Sequence, residues 1–361
     1  MLIYLYIFFS QFIVYFDLSY YLSMSKMKTG VLLINLGSPK ELTKKSVKDY
    51  LRVFLSDDYV LDIPKIFQQL ILRVFILPFR PKNTLEAYEL IWTPEGSPLI
   101  LSTKSIAKKL SKKTGWDVDY AMRYEDPSIE KALVNFKSKG IYKIIVISLY
   151  PHNAMATTIT TEMETRIVAN KISENFELIF TKPFFDNEIY INTLSNSIKP
   201  FIEKSSFDKI IFSYHGIPKR QAKKTDETGE HCFSTRNCCE IEGEGSKDCY
   251  RSHTKIASDL TAKKLGLSED QWEVAYQSRL GPGWLTPFTD RRLAELPEEG
   301  KENIAILCPS FISDCLETLE EIDIRGRKTF FDAGGKNMTY IPCLNDSEET
   351  IALLENLVKT S

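Results

Sequence analysis

Asp314, Glu317 and Glu321 follow directly on the apolar run Ile304-Ala305-Ile306-Leu307, spaced so that one helix could carry all of them. At about 100° per residue, such a helix brings the three acids within an arc of roughly 60°. A row of acids usually lies in water. This one starts at the carboxyl end of a core strand, where open α/β sheets place ligands, and a carboxylate ladder there suits the handling of cations or protons. Other apolar runs also end in residues capable of chemistry: Asn35-Leu36-Gly37-Ser38-Pro39, Tyr150-Pro151-His152, Ser213-Tyr214-His215-Gly216 and Gln277-Ser278-Arg279-Leu280-Gly281. A separate cluster, Cys232, Cys238, Cys239 and Cys249, lies in the polar, glycine-containing segment 226-250. Four thiolates so placed can ligate a [2Fe-2S] cluster or Zn²⁺, and the C-x5-C-C-x9-C spacing is not the C-x2-C pair of a zinc ribbon.

These groups need a scaffold that collects strand ends. Val31-Leu36, Val118-Met122, Ile144-Leu149, Leu178-Thr181, Ile210-Tyr214, Val274-Gln277 and Ile304-Leu307 have the apolar character of buried strands. Amphipathic stretches such as Val47-Leu55, Ile129-Lys139, Ile189-Glu203 and Thr254-Lys264 alternate with them. The alternation is that of βαβ units and parallel sheets covered by helices. It predicts an α/β protein of two doubly wound, Rossmann-like lobes around a central cleft. Residues 27-172 form the expected first lobe and 173-345 the second, with a last helix, 346-361, returning to the first. No G-x-G-x-x-G or G-x-x-x-x-G-K-[ST] segment marks a nucleotide fold of the usual kind.

The 361 residues suffice for two cored domains, and 26% charged with 43% apolar residues is ordinary globular composition. A net charge of -2 argues against nucleic acid as partner. Seven cysteines in a chain of this length do not form a secreted disulfide scaffold, which fits a reducing, cytoplasmic setting. The apolar, aromatic start lacks a basic n-region, and its uncharged run is short for a membrane span. The fold is therefore expected to begin at Met24 or Met27, with 1-26 outside it and a membrane anchor as the alternative.

Six segments resemble the ferrochelatase family, which inserts ferrous iron into a porphyrin: Val31-Leu-Leu-Ile-Asn-Leu-Gly-Ser-Pro39, Glu95-Gly-Ser-Pro-Leu99, Ala121-Met-Arg-Tyr124, Ser213-Tyr-His-Gly-Ile-Pro218, Gln277-Ser-Arg-Leu-Gly-Pro-Gly-Trp-Leu285 and Ser313-Asp-Cys-Leu-Glu-Thr-Leu-Glu-Glu321. They run in family order from about residue 28 onward. The resemblance implies a chelatase-like fold and Fe²⁺ insertion into protoporphyrin IX to form protohaem, a lyase reaction closing haem biosynthesis. It assigns His215 and Glu317 as the catalytic pair that meets the substrate Fe²⁺, and Asp314 and Glu321 as a path for protons or metal. Leu36, Arg123, Tyr124, Trp284 and Phe311 are the implied porphyrin-binding residues. Cys315 departs from the pattern, since many members have histidine there.

Some bacterial members carry an internal four-cysteine insertion, and by that resemblance Cys232, Cys238, Cys239 and Cys249 are expected to hold [2Fe-2S], with zinc as the alternative. The periodic apolar residues Phe67, Leu70, Ile71, Val74 and Leu77 read by default as a core helix. The resemblance instead places 66-79 at the cleft lip, where the stripe could touch a membrane peripherally. A coproporphyrin III chelatase and a non-catalytic porphyrin, iron or iron-sulfur sensor protein are the rival readings.

Overall fold

The structure, a computed structural model, describes residues 28–235, 237–241 and 243–361; the N-terminal extension lies outside the described residues. Eight strands form two parallel four-stranded sheets. β1 (Thr29–Asn35), β2 (Asp117–Met122), β3 (Lys143–Ser148) and β4 (Glu177–Phe180) stand in the order β2-β1-β3-β4. β5 (Lys209–His215), β6 (Trp272–Gln277), β7 (Asn303–Leu307) and β8 (Asn337–Ile341) repeat that order as β6-β5-β7-β8. The central strands carry unbroken apolar runs because helices cover both sheet faces: Val31 to Ile34 and Ile304 to Leu307 are all buried. In each sheet the parallel register sends every strand's carboxyl end to the same edge.

Two expectations need correction. The strand at 177–180 pairs with β3, so it is the edge of the first sheet, whereas a division at residue 172 put it in the second lobe. β8 was not anticipated. It is a five-residue edge strand behind Gly334-Gly335 whose sequence, Asn337-Met-Thr-Tyr-Ile341, opens with a polar residue and carries another at Thr339, too weak a pattern to stand out from a loop.

The last helix, Glu348–Lys359, packs on both the Pro98–Thr114 helix and the Glu188–Lys204 helix. Ile351, Leu354, Leu357 and Val358 lie on its inward stripe, within a core cluster that runs from Val31 and Ile145 of the first sheet to Phe212 and Leu307 of the second. Lys109 pairs with Asp346 at 2.8 Å and Lys113 with Glu355 at 3.2 Å. The last helix is thus held by apolar burial, with the partly exposed ion pairs adding little.

The segment at 66–79 inverts the default expectation. Ile66, Phe67, Leu70, Ile71, Val74, Phe75 and Phe79 are exposed, while Gln68 is buried with its amide donating to the Asp57 and Leu61 carbonyls. Leu77, counted with the stripe, is buried along with Leu72. The helix Lys65–Leu70 passes into a π-wound stretch, Ile71–Ile76, whose i→i+5 bonding shifts later side chains off an α-helical stripe.

Candidate active site

The carboxyl-edge loops of the two sheets enclose a cleft of about 840 Å³, within the range of pockets that bury a small organic ligand. Leu36 after β1, Tyr150 and His152 after β3, His215 on β5, Gln277 at the end of β6 with Ser278 and Arg279 after it, and Ser310, Phe311, Glu317 and Glu321 after β7 line it. Among the described residues no helix is long and apolar enough to cross a membrane.

His215 ends β5 half-buried. Its Nδ1 lies 2.7 Å from the Gly216 carbonyl. A carbonyl only accepts, so Nδ1 carries the hydrogen and Nε2 keeps a free lone pair. The adjoining Gly216 is required sterically, because a Cβ there would meet the Gln277 carbonyl at 2.8 Å and the Trp284 ring at 3.3 Å. Trp284 thereby sits close beside the histidine segment, and the Phe311 ring lies edge-on to His215 with centroids 6.4 Å apart.

Glu317 opens a π-wound helix, Glu317–Gly326, and its carbonyl accepts from Gln277 Nε2 at 2.9 Å. Tyr50, Tyr88 and Tyr150 line the same cleft; burial pushes all three hydroxyls up, and the Glu317 charge adds to it, most for Tyr88 and least for Tyr150, where Tyr124 contributes more. Among the described residues the Tyr150 hydroxyl has no hydrogen-bond partner. Sequence reasoning missed this ring of phenols, since Tyr50 and Tyr88 sit on helices Lys44–Leu55 and Arg80–Glu89 with no motif to mark them. Burial raises the Cys315 thiol, and the neighbouring Glu317 raises it further, so it remains S–H. Burial also raises Glu321, against the lowering effects of Ser278 and His215.

The expected row of three acids does not exist. The chain stays non-helical from Cys308 through Cys315, and the helix beyond is π-wound, so the 100° spacing does not apply. Asp314 turns away from the cleft and is absent from its lining. Its carboxylate accepts from the Tyr340 hydroxyl at 2.5 Å, Asn345 Nδ2 at 2.7 Å and the Thr318 hydroxyl at 3.0 Å. Those bonds brace the loop between β7 and the helix that Glu317 opens.

Arg123 and Tyr124 are also withdrawn from the cleft lining. Both donate to Asp57 Oδ2, at 2.6 and 2.8 Å, and Thr160 does so at 2.6 Å. Cations that do line the cleft are Arg80, Arg279 and Arg325. Arg279 is paired with Asp290 and Arg325 with Glu320, each at 2.7 Å. Arg80 is exposed at the lip, where nothing in its sequence context singles it out.

The four cysteines converge beside this site. Cys232 Sγ lies 3.8 Å from Cys249 Sγ, and Cys238 Sγ 4.0 Å from Cys239 Sγ. Thiolates bound to one tetrahedral ion at about 2.3 Å stand about 3.8 Å apart, so the first pair already has that separation. Among the described residues, no three His, Cys, Asp or Glu side chains form a complete metal-ligating group. Cys249 is held toward the thiolate by hydrogen bonds from Cys232 and Cys239, which themselves are driven toward the thiol. Asp226 anchors the loop by accepting from the Cys232 and His231 amides at 2.7 and 2.9 Å.

The solved structures that resemble this chain include the sirohydrochlorin chelatase SirB from Bacillus subtilis subspecies spizizenii in complex with cobalt. It has a TM-score of 0.52 and 10% identity over 92% of this chain and 94% of that one. SirB from Bacillus subtilis with Fe³⁺ gives 0.51 and 12% over 92% and 95%. At such identities the likeness concerns the fold. Sequence relatives are nearer. Ferrochelatase of Stutzerimonas stutzeri is 39% identical over 331 residues, 91% of this chain and 96% of the relative. Ferrochelatase of Opitutus terrae is 39% identical over 335 residues, 92% and 97%. The ferrochelatase family model matches residues 28–361. With a match of that extent laid over a two-sheet cleft that joins His215 to Glu317, the chain belongs to the ferrochelatase family.

Proposed function

We infer that the chain inserts Fe²⁺ into protoporphyrin IX, forming protohaem and releasing two protons. The observation that carries this reading is the meeting of His215 and Glu317 in one cleft, with His215 Nδ1 committed to a carbonyl and Nε2 left as a base. A free-base porphyrin holds two pyrrole N–H groups inside its ring, and both must leave as the metal enters. His215 Nε2 accepts one proton. Glu317 accepts the other and offsets the charge of the dication in the half-buried interior of the cleft. Glu321, held by Ser278, passes protons outward. Leu36, Trp284 and Phe311 supply apolar contact to the macrocycle, and Arg80 at the lip meets a peripheral carboxylate.

The reading extends to three finer points. The exposed stripe at 66–79 makes a cytoplasmic protein peripheral to the inner membrane, where poorly soluble porphyrin is taken up. Cys232, Cys238, Cys239 and Cys249 hold a [2Fe-2S] cluster, with zinc as the competing occupant; the 3.8 Å sulfur pair supports a metal in either case. Such a group would staple the 226–250 loop. The porphyrin is protoporphyrin in preference to coproporphyrin, since of the cleft-lining arginines Arg80 alone lacks an acid within 4 Å among the described residues, a sparse set for four carboxylates.

The deciding experiment mixes the protein anaerobically with Fe²⁺ and either protoporphyrin IX or coproporphyrin III and follows the Soret band. Rapid protohaem formation is expected. Tight porphyrin binding without metallation would make the protein a carrier or sensor, and faster coproporphyrin turnover would transfer the substrate assignment.

A further inference from the structure

We propose that Tyr250 is a positioning residue that couples the cysteine loop to His215. The proposal rests on the reading of that loop as a metal or cluster site. Tyr250 follows Cys249 directly and opens the helix Tyr250–Leu265. It is buried, at 4% exposure. Its hydroxyl donates to the His215 carbonyl at 2.8 Å and lies 2.9 Å from Ser310 Oγ, which accepts the His215 amide at 3.1 Å.

One assignment of hydrogens satisfies all three contacts. The tyrosine hydroxyl donates to the His215 carbonyl, the Ser310 hydroxyl donates to the tyrosine oxygen, and the His215 N–H donates to Ser310. Both backbone groups of His215 are thereby held in a closed ring, and the ring includes the β7 loop that leads to Glu317. Drawing Cys249 onto a metal shared with Cys232 fixes the first turn of the helix and, with it, the hydroxyl of the next residue. A further strut steadies the same turn: His253 Nε2 donates to the Lys247 carbonyl at 2.7 Å, and its Nδ1 accepts the Asn153 amide of the first lobe at 3.2 Å. A structural staple needs no tyrosine hydroxyl aimed at the histidine, and a phenylalanine there would leave the His215 carbonyl without that donor.

The test compares wild type and Tyr250→Phe, each with its cysteine-held metal and after chelation. Metal content, porphyrin affinity, turnover and hydrogen exchange at the His215 amide are measured. Tyr250→Phe is expected to keep its metal and porphyrin KM but to lose roughly tenfold or more in kcat, the usual scale for a partner that orients a metal-contacting group. In wild type, chelation is expected to raise exchange at the His215 amide about tenfold, whereas in Tyr250→Phe it adds less than about twofold, because the link is already cut. Ser310→Ala, which breaks the same ring from the other side, is expected to match Tyr250→Phe. Wild-type exchange that chelation leaves unchanged, or wild-type kcat in both variants, would overturn the coupling. Protein that carries neither iron nor zinc at the cysteines would also overturn it, and protohaem formation by that same sample would leave the catalytic assignment standing.

Discussion

Ser278 grips Glu321 with both of its donors: the backbone N–H meets Oε1 at 2.7 Å and the hydroxyl meets Oε2 at 2.6 Å. To do so Ser278 adopts φ 63°, the left-handed region that side chains other than glycine seldom occupy. The geometry keeps an acid in the cleft wall that burial would otherwise disfavour.

Because burial raises the Glu321 pKa above its ordinary value, the folded protein retains a proton that the unfolded chain releases. The stability this contributes is present below the unfolded pKa and lost as pH rises through the folded one. Glu321→Gln is therefore expected to melt above wild type near about pH 8 and to show no such gain near about pH 4. Calorimetry at the two pH values checks this; equal melting at the higher pH would mean that Ser278 and His215 fully offset the burial cost.

Arg123 and Asp57 form a largely buried pair, with side chains 14% and 6% exposed. Asp57→Ala leaves the guanidinium uncompensated and is expected to cost about 3–5 kcal/mol in denaturant unfolding. Arg123→Ala is expected to lose stability on a similar scale with little change in porphyrin KM. A large rise in KM at wild-type stability would return Arg123 to the binding site.

The stripe at 66–79 is testable apart from catalysis. Phe67 and Phe75 are 59% and 64% exposed, so replacing both with Glu is expected to shift stability by less than about 1 kcal/mol. Cosedimentation with phospholipid vesicles should fall sharply, while metallation of detergent-dispersed porphyrin persists. Unaltered vesicle binding would remove the membrane role.

His215→Ala and Glu317→Gln are each expected to lower kcat for iron insertion by about 10²–10⁴-fold, the range of a lost acid–base group, while far-UV spectra and melting change little. Near-normal turnover in either variant would end their assignment as the proton acceptors.

Much of this was legible in the chain. Val31-Ile34 and Ile304-Leu307 are continuous apolar runs that only a strand buried on both faces needs, and the residues beyond each run had to share a parallel sheet's carboxyl edge. His215 and Glu317 could thus be assigned to one cleft, and the family resemblance added Trp284. Local pattern and strand direction are written in neighbouring residues. What it could not carry was the choice of partner among residues far apart. The motif Ala121-Met-Arg-Tyr124 is present as expected, yet Asp57 claims Arg123 and Tyr124 across 66 and 67 residues. Tyr340 and Asn345 claim Asp314 in the same way, and in the segment 66–79 the buried position next to Phe67 and Leu70 goes to Gln68, whose amide donates to the Asp57 and Leu61 carbonyls. A side chain's type limits what it can bond; which of several bonds it makes is settled by packing, because a buried polar group must take the partner that tertiary structure brings within reach.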